Sequence, residues 1–122
     1  ERAPTRSTFG VAVSTRSNVM DWIGEARIEI EAARLMVLRT AWLMDTQGDK
    51  ASAPHMSQIK VQVVRSATTV IDRAIQVFGA AGVSEDTPLA RWYAMLRSLR
   101  IADGPDEVHL MGIARRELRR HA

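Results

Sequence analysis

Cysteine is absent from the 122 residues, which removes disulfides, thiolate zinc sites and thiol nucleophiles together. No apolar run approaches the roughly 20 residues that a membrane helix needs. The opening Glu1-Arg2-Ala3-Pro4 lacks the apolar stretch of a secretory signal, so a soluble intracellular setting is expected. No segment alternates with the period of a strand, and there is no internal repeat or low-complexity tract. His55, His109 and His121 lie far apart without the pair spacing of a zinc site; solvated or capping histidines are expected, and no metal. A phosphate loop, a dinucleotide glycine fingerprint and a Gly-x-Ser-x-Gly elbow are all missing.

What remains is a globular composition, 46% apolar and 25% charged, enough for one domain. Among 17 basic residues only Lys50 and Lys60 are lysines, and 14 acids are spread through the same segments, leaving a net charge of +3. A nucleic-acid binder concentrates its basic residues on one face or tail. Here Arg27, Arg34 and Arg39 alternate with Glu25, Glu29 and Glu31 at helical spacing, the pattern of a solvated face carrying ion pairs. Arg115, Arg116, Arg119 and Arg120 cluster near the end, where cations complement the negative end of a last helix.

Apolar residues at Val19, Ile23, Ala26, Ile30, Ala33, Val37, Ala41 and Met44 predict a long amphipathic helix, capped by Asn18 and stopped by Gly48. A second stripe, Ile28, Leu35 and Trp42, implies that it buries two faces, with Gly24 allowing a neighbour close. Ser52-Ala53-Pro54 reads as the start of a second long helix, carrying Met56, Ile59, Val63, Ala67, Val70, Ala74 and Phe78 and ending in Gly79-Ala80-Ala81-Gly82. Thr87-Pro88 opens a shorter helix to about Arg100. A last one starts around residues 103–107, with Val108, Met111, Ala114 and Leu118 on one face. The fold expected is all-α, an up-and-down helical bundle one helix short of closing its core, with residues 1–17 as a loop leading into the helices of 18–122. A bundle in that condition should associate with itself or with a missing partner.

Two strings remain, Gln76-Val77-Phe78-Gly79-Ala80-Ala81-Gly82-Val83 and Ile101-Ala102-Asp103-Gly104-Pro105-Asp106-Glu107-Val108-His109. Taken alone they are a helix C-cap and a helix N-cap. Their order and spacing resemble the flavin-binding and catalytic segments of the acyl-CoA dehydrogenase family, the wording of the second being similar to the subgroup of members ten and eleven. Arg6-Ser7-Thr8-Phe9-Gly10, Glu31-Ala32-Ala33-Arg34-Leu35 and Ala114-Arg115 also resemble family strings, in family order.

The resemblance implies a C-terminal helical domain without the N-terminal and middle domains or the first bundle helix. It implies FAD as cofactor, served across a dimer by Arg6, Phe9, Gln76, Val77 and Ala80. Asp103 falls where most of the family has a glutamate base, with Gly104 beside it against the substrate. Removing a proton α to a thioester needs a carboxylate while a hydride leaves the β carbon. Aspartate has a stem one methylene shorter than glutamate, so backbone or substrate must sit closer. Ala102, Pro105, Glu107 and Ser17 depart from the residues common in the family. The parent reaction implied is α,β-dehydrogenation of an acyl-CoA to the trans-2-enoyl-CoA, an oxidoreductase step of fatty acid metabolism. That places it in the cytoplasm of a bacterium, or in a mitochondrion or peroxisome. The other expectation is a truncated oligomerisation domain with no activity of its own.

Overall fold

The computed structural model describes residues 2–122, and Glu1 lies outside the described residues. The lead-in is more ordered than a loop. A turn of helix α1 (Arg2–Thr5) precedes a two-residue antiparallel pair, β1 (Ser7–Thr8) with β2 (Val11–Ala12), in the register Ser7 with Ala12 and Thr8 with Val11. Phe9 and Gly10 form its connection with φ of 52° and 76°. Two successive positive φ values make the tight turn that matches strand twist, and the short pair escapes any periodicity test. A 3-10 turn at Val13–Thr15 then delivers the chain to the long helices.

Helix α2 (Ser17–Gln47) and helix α3 (Asp49–Phe78) are joined through Gly48 alone. Its φ of 80° reverses the chain while its N–H caps Met44. A short α4 (Ala80–Val83), α5 (Leu89–Leu99) and α6 (Asp106–Arg120) follow. Pairings along the chain establish direction: Glu25 of α2 meets Arg73 of α3, Arg65 of α3 meets Asp106, and Ser57 meets His109. So α5 and then α6 both run back along α3, one against its later half and one against its start. The bundle has three legs, and the third is broken at residues 100–105.

The cap assignments change. Asn18 lies inside α2, whose cap position is Arg16, and Ser52 lies inside α3, its hydroxyl bonded to the Asp49 carbonyl. Pro54 sits a turn later than expected, where it removes one donor near an exposed helix end. Thr87 donates to Ala81 O at 3.0 Å instead of capping α5. In each case a single polar residue beside a proline or an apolar run marks a helix end only to within a turn.

Burial is sparse. The buried apolar residues are Val13, Val19, Leu43, Val61 and Leu89, and the second stripe of α2 is exposed, with Trp42 58% accessible. Helix α6 faces α3 with Asp106, His109 and Ile113, whereas Val108, Met111 and Leu118 look outward. Gly24 has nothing within 4 Å of where a Cβ would stand, so no neighbouring element among the described residues packs closely on it. An apolar groove of about 430 Å³ runs between Ile30 and Ala33 of α2, Val63 and Val70 of α3, and Trp92 of α5. It is what a bundle that has not closed leaves open.

Candidate functional site

The break in the third leg is the chemically richest place in the molecule. Asp103 and Gly104 have φ of 54° and 94°, two left-handed residues in a row that let α6 restart along α3. Aspartate enters that region more readily than most side chains. The turn is pinned from α3 and α6. Lys60 Nζ donates to the Gly104 carbonyl at 2.6 Å, and His109 Nε2 lies 3.2 Å from the Asp103 carbonyl. Ser57 Oγ lies 3.2 Å from His109 Nδ1. Because a carbonyl only accepts, Nε2 carries the ring proton. In the neutral ring Nδ1 then accepts from the Ser57 hydroxyl.

Beneath the turn Asp106 is 1% exposed. Its Oδ2 accepts from Arg65 Nε at 3.1 Å and Arg100 Nε at 2.9 Å, and its N–H donates to Arg100 O. Oδ1 is buried with no partner among the described residues. Burial pushes the carboxyl up, but the hydrogen bonds and charges of Arg100 and Arg65 outweigh it and hold the group below its ordinary value of 3.8. Asp106 is an ionised strut between the end of α5, the start of α6 and the middle of α3.

Above the turn lies a cleft of about 470 Å³, walled by Val37, Met56, Ile59 and Val64, with Asp103, Lys60 and His109 along one side. A carboxylate beside an apolar wall can take a proton from a carbon acid held against that wall. The groove on α2, α3 and α5 is nearly as large, but Glu29 is its only titratable lining residue.

A second cluster sits at the other end of α3. Arg6 Nη1 donates to the Val77 carbonyl, and Gly79, at φ 67°, lets the guanidinium lie where its Cβ would be, 2.8 Å from Nη2. Gln76 and Ala80 are exposed beside it, and Phe9 is wholly exposed at the hairpin tip. At 1.5 Å per residue, the span of α3 between Lys60 and Val77 is about 25 Å. The structure therefore joins Asp103 with Gly104, and Arg6 with Gln76, Val77 and Ala80, but keeps the two groups apart.

Asp103 does not cap α6. The cap position is Pro105, without a side-chain bond, because the left-handed turn lies two residues earlier. His109 is a bridge rather than a solvated ring. The sequence marks Ser57, Lys60 and Arg65 only by their helical spacing on α3, and Arg100 only as a cation at the end of α5. Among the described residues no group of three or more His, Asp or Glu could hold a metal, and no helix is long and apolar enough to cross a membrane.

Against known proteins, residues 1–118 match the acyl-CoA dehydrogenase C-terminal domain. The chain is 51% identical over 118 residues to acyl-CoA dehydrogenase family member 11 of Gallus gallus, covering 97% of this chain and 15% of that protein. It superposes with a TM-score of 0.96 on a Mycobacterium abscessus protein assigned to the acyl-CoA dehydrogenases, at 44% identity, over 99% of this chain and 30% of that one. An FAD complex of PigA is similar at a TM-score of 0.85 and 27% identity, over 94% of this chain and 30% of that one.

Proposed function

We propose a function from the premise that this chain belongs to the acyl-CoA dehydrogenase family, whose C-terminal domain it matches over residues 1–118. It serves as the C-terminal helical domain of an enzyme that converts an acyl-CoA thioester to the trans-2-enoyl-CoA. The observation that carries this reading is Asp103, held by its backbone at the edge of an apolar cleft. There the carboxylate accepts the proton α to the thioester carbonyl, while Val37, Met56 and Ile59 keep water from the acyl chain.

Bound FAD would supply the acceptor for the hydride leaving the β carbon. The residues present fit that group: Arg6 is a guanidinium already fixed against a glycine cradle that a Cβ would fill, and such a fork suits a diphosphate. Gln76 and the backbone near Ala80 border the same surface, and Phe9 stands wholly exposed at the hairpin tip. Some 25 Å of α3 separates this cluster from Asp103. In a homodimer each chain would then give Asp103 to one cofactor and Arg6 to the partner's.

The chain spans 15% of the length of the Gallus gallus relative, so the test belongs to the complete polypeptide. Asp103→Asn should leave flavin content near normal while turnover falls about 100-fold or more. Full turnover with Asn would move the base elsewhere. The alternative, an oligomerisation module without activity, is favoured by the exposed stripe Ile28, Leu35 and Trp42. Visible absorbance of the purified protein separates the two readings, since bound flavin is yellow.

A further inference from the structure

We propose that Ser57, Lys60 and His109 form a clamp that fixes the backbone pose of Asp103, making Lys60 and His109 positioning residues for the base. This rests on the reading of Asp103 as that base. A carboxylate with a short stem has little freedom to correct an ill-placed backbone, so its aim is set by the peptide that carries it. That peptide is in an unfavourable conformation: Asp103 has φ of 54° without being glycine. A residue stays there only where its surroundings determine it.

The surroundings supply two charged or polar donors to two successive carbonyls. Lys60 meets the Gly104 carbonyl at 2.6 Å, and His109 Nε2 faces the Asp103 carbonyl at 3.2 Å. Ser57 fixes the imidazole from behind. Lys60 and Ser57 stand three residues apart on one face of α3, the central leg, and His109 lies one turn into α6. The clamp thus holds the base from two rigid elements, α3 packed across from the turn and α6 following it. Gly104 completes it, because a Cβ there would stand 3.2 Å from His109 Nε2.

The experiment compares Lys60→Met, Lys60→Arg, His109→Ala and Asp103→Asn in the complete polypeptide. Two readouts are taken: steady-state kinetics with an acyl-CoA, and amide hydrogen exchange of peptides covering residues 99–110. Lys60→Met and His109→Ala should each speed exchange there and lower kcat, both by about tenfold, with KM within about twofold. Lys60→Arg, which keeps a cationic donor, should recover most of both. Exchange in α2 peptides monitors global folding, and if one variant unfolds the other carries the test. Asp103→Asn should lower turnover about 100-fold or more without changing exchange. Unchanged exchange and kcat in both Lys60→Met and His109→Ala would overturn the clamp, as would faster exchange with kcat unaltered. Full activity of Asp103→Asn would overturn the base assignment instead, a result the exchange data distinguish from failure of the clamp.

Discussion

Asp106 has 2% of its side chain accessible, against 42% and 33% for Arg65 and Arg100, which bind it. Removing the carboxylate frees two guanidinium groups that can reach water, so the cost is smaller than for a fully buried pair. Asp106→Ala should lower stability by about 2 kcal/mol at neutral pH, read from denaturant midpoints. Its pKa is depressed in the fold. The stability it contributes is therefore complete above the unfolded value and is lost as pH falls through the folded one. The difference between wild type and Asp106→Asn should shrink on acidification below about pH 4. An undiminished difference at pH 2 would remove the ionised carboxylate as its source. Gly82 makes a plainer prediction. A Cβ there would meet the Ile75 carbonyl oxygen at 2.7 Å and Cα at 2.9 Å. Both are backbone and cannot swing away, so Gly82→Ala should cost about 1–3 kcal/mol by chemical denaturation.

Among the helices, α6 has the most conventional charge arrangement, with Asp106 and Glu107 in its first turn and Arg119 and Arg120 in its last. Gly112 interrupts it, and nothing lies within 4 Å of a Cβ built there. Gly112→Ala should raise stability by about 0.5–1 kcal/mol, visible as a higher thermal midpoint. A loss instead would mean that a neighbouring chain approaches that surface. The long helices were legible as elements because their apolar spacing persists for many turns and Gly48 and Gly79 end them. Helix starts were not, because Ser52 and Thr87 bond the Asp49 and Ala81 carbonyls rather than capping amides, and Asn18 lies inside α2. The ion pair Arg27–Glu31 follows the expected spacing at 2.8 Å, whereas Glu25 turns to Arg73 on the neighbouring leg.

The whole molecule exposes 8566 Å². A compact monomer of its 13.6 kDa would expose about 6,600 Å². The excess, about 2,000 Å² on one chain, is more than the roughly 800 Å² that each partner gives to a standard-size protein interface. Part of it is the row Ile28, Leu35 and Trp42, accessible to 71%, 65% and 58%. Large exposed apolar rows of this kind mark association surfaces. The chain should sediment as a dimer or larger species at micromolar concentration, and replacing Leu35 and Trp42 with Gln should shift it toward monomer. A wild-type chain sedimenting as a compact monomer would refute this.

The amino-acid order by itself determined the all-α class, the number of long helices and the two glycine stops, because these depend on periodicity and backbone freedom that each segment carries alone. It also brought Asp103 and Arg6 into view through motif resemblance. Only the tertiary structure decided that α5 and α6 form one broken leg, that the break holds Asp103 in a left-handed turn, and that Asp106 is buried. Those outcomes depend on Lys60, Arg65 and Ser57, some forty to fifty residues earlier in the chain. A contact at that separation has no local period, and a carboxylate beside a proline reads the same whether it meets water or two arginines.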